Sequence, residues 1–161
     1  MPFDLHLSGL IRRGTPADLE GLSWFGSQRV YLRDIEALLK HPNGVLLVAE
    51  LNRFPVGRAC LELRPEESLG EIWGLVVMPN LQGLGLGGRL LRAAEDEIRA
   101  RGLSYSSLTV GKANPDAARL YERSGYRRIG EGRSEGLTTP DGVVVHHPEP
   151  VWMMQKHLSA T

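Results

Sequence analysis

The sequence predicts an α/β fold, a mixed sheet held between helices, and three observations carry that prediction. Apolar residues alternate at a period of two in some stretches and recur at helical spacing in others. The stretch "GEIWGLVVMPNLQGLGLGGRLLRAAEDEIRARG" reads as strand, glycine loop and helix in immediate succession. The 161 residues, 42% of them hydrophobic, can bury one substantial core but divide poorly into two, so 1–161 is read as a single domain.

Taken in order, "DLHLSGLIRRG" has the pattern of a first strand. Thr15, Pro16 and Asp18 then supply an N-cap, an N1 proline and first-turn charge, which predicts a helix starting at Pro16. A second helix is predicted over Gln28–Lys40 from Val30, Ile35, Leu38 and Leu39, stopped by "HPNG". "GVLLVAEL" and "PVGRACLELR" follow as a hairpin turning at "NRF", with Ala59, Leu61 and Leu63 alternating against Cys60, Glu62 and Arg64. The central strand ends at Pro79. Leu90, Leu91, Ala94 and Ile98 mark the next helix, and Gly102 closes it. "LSYSSLTV" is a strand, and Asn114-Pro115 opens a helix ending near Gly125. From Tyr126 to Leu158 the pattern is all β: "YRRIGE", a small hairpin turning at "TPDG", and "VWMMQKHL".

Nineteen Lys plus Arg balance nineteen Asp plus Glu, so no net field draws the chain to nucleic acid or to an anionic membrane. No run of 18 apolar residues is present, and "MPFDLHLSGLIRRG" lacks the basic start and apolar core of a signal peptide, which makes a cytoplasmic location the expectation. The single cysteine, Cys60, excludes an intrachain disulfide and a cysteine-built zinc site. His146 and His147 are adjacent, so strand alternation separates them, and no metal is expected. Trp24, Trp73 and Trp152 are expected in or around the core, with Trp24 and Trp73 as alternatives for lining a pocket.

Four glycines between Gly83 and Gly88 cost chain entropy at a helix entrance, so the backbone there is expected to have a task. A helix N-terminus presents unpaired N–H groups and partial positive charge, and a loop without Cβ atoms lets an anion approach them. The nucleotide-hydrolase phosphate loop requires Lys then Ser or Thr, whereas Gly88 precedes Arg89 and Leu90. Gly83, Gly85 and Gly88 fit G-x-G-x-x-G, but "LSYSSLTVGKA" offers no acidic residue to hold a ribose. Gln82, Gly85 and Gly87 form Q-x-x-G-x-G after "VVMP". This resembles the acyl-coenzyme A loop of the GCN5-related N-acetyltransferase superfamily, GNAT, and "LSYSSLTVGKANPDAARLYERSGY" resembles that superfamily's next strand and helix. The resemblance covers about residues 69 to 130.

The resemblance implies a mostly antiparallel sheet whose central parallel pair, the strands of Val77 and Leu108, splays apart around coenzyme A. Leu75, Val76 and Val77 would then meet the pantetheine arm. Gln82, Gly83, Leu84, Gly85, Leu86, Gly87 and Gly88 would hold the pyrophosphate, with Arg89 adding charge. Asn114, Ala117 and Tyr121 would face the same cleft from the following helix, where Asn114 reads equally as a helix cap and Tyr121 as core packing. The resemblance makes Glu71 the general base and Tyr121 the proton donor to the departing thiolate. A solvated strand-edge carboxylate is the alternative for Glu71. Period-two alternation puts Glu71, Trp73, Leu75 and Val77 on one face, unless a bulge intervenes. Val77 N–H is the expected donor to the thioester carbonyl, and Cys60 is expected as packing rather than as an acyl carrier.

The implied activity is acetyl transfer from acetyl-CoA to a primary amine, by direct attack in a ternary complex, on a small molecule. A protein N-terminus or lysine as acceptor, and a non-catalytic acyl-CoA sensor, are the alternatives. Exposed strands leave room for a homodimer.

Overall fold

A computed structural model describes residues 1–4, 6–23 and 31–159. The chain lays down β1 (Gly9–Arg13), α1 (Leu32–Lys40), β2 (Gly44–Leu51), β3 (Phe54–Arg64), β4 (Leu69–Val77), α2 (Leu86–Ala100), β5 (Tyr105–Gly111) and α3 (Pro115–Arg123). It ends with β6 (Arg127–Arg133), β7 (Leu137–Thr138), β8 (Val144–His146) and β9 (Pro150–His157). β2 and β3 are joined by Asn52 and Arg53, both at positive φ (50° and 69°), the twist a tight hairpin requires. β7 and β8 turn at Thr139–Gly142, where Gly142 N–H donates to Thr139 O at 2.9 Å. These hairpins lie where the turn residues predict them.

Seven strands form one sheet in the order β1-β2-β3-β4-β5-β9-β6, antiparallel except for β4 and β5, and β7 pairs with β8 apart from it. The last sheet strand enters between β5 and β6, so neighbours in space are not neighbours in sequence.

Each face of the sheet carries its own core. On one face α2 lays Leu90, Leu91, Ala94 and Ile98 over Ala59, Leu61 and Ile72, and α3 adds Ala118. On the other, Leu22 with Ile35 and Leu38 of α1 covers Leu46, Val48 and Cys60, with Trp73 packed alongside. Burying each such large aliphatic side chain stabilises the fold by about 1.5–3 kcal/mol. Gly70 lets α2 settle, because a Cβ there would clash with Ile98 Cγ1. One buried carboxylate, Glu95 of α2, is held by Lys156 Nζ at 3.0 and 3.1 Å.

Two expectations need correction. No α-helix starts at Pro16: the segment makes two 3₁₀ turns, Pro16–Asp18 and Glu20–Leu22. Asp18 is drawn to Arg12, whose Nη2 and Nη1 reach its carboxylate at 2.7 and 2.9 Å, and Thr15 N–H donates to it at 2.8 Å. These bonds lower the Asp18 pKa, chiefly through Arg12, and Ser23 Oγ closes the second turn on Glu20 O. The helix expected from Gln28 is α1 from Leu32; residues 28–30 and Trp24 lie outside the described residues.

The second correction concerns β4. Arg58 pairs with Val76 but Cys60 with Trp73, so one extra residue is accommodated in β4, at Gly74 with φ +60°. This bulge exchanges the faces beyond it. Glu71 and Trp73 look toward α1, whereas Leu75 and Val77 look toward α2 and α3, so the four residues do not share a face.

Candidate active site

β4 and β5 pair only over Leu69–Glu71 and Tyr105–Ser107. Beyond those rungs β4 runs on to Val77 and β5 to Gly111 with no further rung between them among the described residues. The parallel pair is therefore splayed. Met78 N–H donates to Val56 O, which makes Gly57 and Val77 a non-hydrogen-bonded pair. The N–H and C=O of Val77 consequently point away from β3, into the opening. Gln82 reaches back to that carbonyl, its Nε2 donating to Val77 O at 3.1 Å.

The loop after β4 ends the opening with backbone donors. Gly83 and Gly85 have φ of +86° and +82°, which L side chains rarely adopt, and a Cβ on either would meet nothing within 4 Å. Here glycine serves the turn and leaves the approach clear. The first α2 hydrogen bond, Arg89 N–H to Gly85 O at 3.2 Å, leaves the N–H groups of Leu86, Gly87 and Gly88 ahead of the helical ladder. Leu84 and Arg89 are exposed beside them. A Cβ on Gly87 would sit 3.7 Å from Leu120 and 3.9 Å from Leu75, so the first turn of α2 meets β4 and α3 at ordinary contact distance.

Asn114 Oδ1 accepts the Ala117 N–H at 3.2 Å and caps α3. Two turns on, Tyr121 is half-buried with its ring edge-on to Tyr126 at 6.1 Å, and burial pushes its phenol pKa up. Tyr126 is itself anchored, its hydroxyl 2.7 Å from Ser106 Oγ. Leu75, Gly87 and Leu120 thus meet, and Val77, Ala117 and Tyr121 border the same core, whereas Val76, opposite Arg58, faces the other side of the sheet.

Glu71 stands apart from that group, on the α1 face at the closed end of the splay. Its Oε2 lies 2.5 Å from Arg64 Nη2, and Arg64 Nε is 3.6 Å from Glu62. No protein partner holds Oε1 among the described residues. Cys60 is fully buried on the same face, its thiol pKa pushed up to about 12 by desolvation. It packs, as its type suggests.

Arg58 escaped the sequence reading. It is buried to 1% exposure, on the α1 face, beneath the Tyr31 ring at 5.5 Å. The available signal was its place in β3, a strand buried on both faces, where the residue opposite the α2 side must also lie inside.

A parallel pair opened beside a glycine-rich helix entrance is the architecture of acyl-coenzyme A-dependent transferases, as the loop motif implied. The chain belongs to the Acetyltransferase (GNAT) family, whose profile matches residues 16–126. It is 34% identical over 96 residues to the IAA acetyltransferase of Azospirillum brasilense, covering 60% of this chain and 62% of that protein. It is 40% identical over 60 residues to the aminoalkylphosphonate N-acetyltransferase of Salmonella typhimurium, covering 37% of this chain and 39% of that one. The chain therefore spans less than two thirds of either relative. Its fold is similar to the crystal structure of the ribosomal-protein-S18-alanine N-acetyltransferase of Escherichia coli, with a TM-score of 0.75 at 20% identity over 96% of both chains.

Proposed function

We propose that this chain transfers an acetyl group from acetyl-CoA to the primary amine of a small molecule, by direct attack in a ternary complex. The observation that carries the reading is the splay of β4 from β5 beside unpaired helix-entrance amides. An extended arm with two amides fits an opened strand edge, to which it adds as a peptide would. A pyrophosphate fits the N–H groups of Leu86, Gly87 and Gly88, with the approach left clear by Gly83 and Gly85 and with Arg89 adding charge. The names of the two sequence relatives favour a small acceptor, and one of those names specifies an aminoalkylphosphonate.

Acetyl-CoA supplies the acetyl thioester, and the remaining requirements fall to side chains and backbone. A lysine-like amine is about 4 to 5 kcal/mol from its neutral form at pH 7, so a base must take its proton. Glu71 is assigned that role: Arg64 fixes one carboxylate oxygen and the other faces the α1 side. The β4 bulge favours this division, with the base on the acceptor face and the Leu75–Val77 stretch turned to the other. Val77 N–H, directed into the opening, is assigned to the oxygen that gains charge as the N–C bond forms. Tyr121, held neutral by burial, gives its proton to the sulfur as the C–S bond breaks. Asn114 acts through its cap, setting the start of the helix that carries Tyr121.

A thiol-release assay with acetyl-CoA and a panel of primary amines, polyamines and N-terminal peptides tests the reading. Turnover with small amines is the expected result. Turnover confined to peptides would move the acceptor class to proteins, and coenzyme binding without release for any amine would make the chain a sensor.

A further inference from the structure

We propose that the segment ahead of β1 is an arm that pairs with a second copy of this chain, residues 3–7 of each copy lying antiparallel along the free β1 edge of the other. The arm serves assembly and stands apart from the acetyltransferase reading.

The two outer strands of the sheet, β1 and β6, differ in how their edges are protected. β6 carries a bulge between Arg128 and Gly130 and exposes Arg127, Arg128, Glu131 and Arg133, which blunts it against further pairing. β1 has no bulge, and its arginines are folded back onto acids of the same chain, Arg12 onto Asp18 and Glu50, and Arg13 onto Glu97. Gly14 N–H donates to Leu46 O and Asn52 N–H to Ser8 O, so even-numbered residues of β1 turn their backbone groups to β2. Gly9, Ile11 and Arg13 turn theirs outward. Among the described residues no other strand meets these outward groups, and only Arg13 O is taken, by Arg12 Nη1 at 3.1 Å.

β2 gives out at Leu51, opposite Gly9, so the chain ahead of Gly9 overhangs the sheet. Asn52 keeps the overhang in line with β1: its Oδ1 accepts Ser8 N–H at 2.8 Å, and its Nδ2 donates to His6 O at 3.4 Å. In sequence the overhang keeps a strand's alternation, with apolar Phe3, Leu5 and Leu7 leading to Gly9 and Ile11. Leu5 lies outside the described residues, but Phe3 and Leu7 are 80% and 55% exposed. Leu7 borders a groove of about 700 Å³ between β1 and α2, lined also by Ile11, Leu51, Leu84 and Leu86.

An apolar overhang and an open edge are complementary, but they lie in line on one strand and cannot meet within one chain. A second copy brings them together. Antiparallel pairing about a two-fold axis sets outward groups against outward groups, so odd residues face odd ones. The register centred on Ser8 places Leu7 opposite Gly9 of the second copy, with Phe3 and Leu7 on the face of Ile11 and the groove. It also sets Asp4 against Arg12 of the second copy, whereas parallel pairing would align like charges.

The test is sedimentation of the full chain over a range of concentrations, with a dimer that dissociates on dilution as the expected result. Leu7→Asp, at an exposed position outside the proposed catalytic site, should raise the dimer dissociation constant by about tenfold or more with its melting transition retained. Ser8→Cys should give a covalent dimer on mild oxidation, because a non-hydrogen-bonded pair holds its Cα atoms about 4.5 Å apart, within a disulfide's span. Cys60 is fully buried, so the unaltered protein is the control. A monomer at every concentration overturns the proposal without any variant, so a failure of Leu7→Asp to fold does not shelter it. A dimer that a folded Leu7→Asp leaves intact, or one cross-linked by Arg127→Cys on β6 and not by Ser8→Cys, also overturns it.

Discussion

The two faces of the sheet are built by different means. On the α2 side, the proposed coenzyme contacts are mostly backbone: the opened edge of β4, the amides ahead of the α2 ladder, and glycines that keep Cβ atoms away. On the α1 side the polar features are side chains: Glu71 clasped by Arg64, Arg58 under Tyr31, and His146 on a hairpin outside the main sheet. A backbone-built site tolerates change in most side chains and fails when a backbone conformation is lost. A site built from side chains can be altered one residue at a time. Variants of the glycine loop should therefore change coenzyme affinity, whereas variants of single side chains should change turnover or acceptor use and spare the coenzyme.

Gly85→Val presses hardest on that contrast. A β-branched residue is strained at φ +82°, and its bulk enters the anion's approach. Coenzyme A affinity measured by calorimetry should fall on the order of 10²-fold in a protein that still melts cooperatively, equivalent to about 2.7 kcal/mol. Unchanged affinity would detach the loop from the coenzyme. Of comparable size is Glu71→Gln, which should lower kcat/KM by about 10²-fold near neutral pH. Its activity should partly recover at high pH, where the acceptor amine loses its proton unaided. A loss that pH leaves untouched would make Glu71 a structural partner of Arg64.

Tyr121→Phe removes a hydroxyl and keeps the ring against Tyr126, so kcat should drop by about 10-fold or more with coenzyme affinity nearly intact. Full activity would return Tyr121 to packing. Shortening the hairpin segment between Arg133 and Pro150 should change acceptor preference and KM while sparing coenzyme binding. The same acceptor profile after trimming would put the pocket elsewhere. The smallest effect expected is on stability: Asn114→Ala removes the α3 cap and should cost about 1 kcal/mol in chemical denaturation.

The proposed coenzyme side was the more legible in sequence for a physical reason. Positive-φ turns and helix entrances demand glycine at fixed offsets, so Gln82, Gly85 and Gly87 announce the loop without any knowledge of their neighbours. The hairpin at Asn52-Arg53, the α2 stripe Leu90–Ile98 and the Asn114 cap are likewise local, and each stands where the pattern put it. The 3₁₀ turns after Thr15 went unread because Asp18 answers to Arg12 of the preceding strand. A capping pattern seen without that arginine reads as an α-helix.

The sequence by itself determined the alternation of elements, one mixed α/β sheet, and the glycine loop at the start of α2, because each follows from periodicity and from backbone conformations that few residues allow. Tertiary structure alone decided the rest. It inserted β9 between β5 and β6, and placed a bulge at Gly74 that sends Glu71 and Val77 to opposite faces. It also brought Arg58 beneath a tyrosine from outside its strand. Strand order, register and the surroundings of a buried charge depend on which distant segments pack together, and no window of neighbouring residues contains that information.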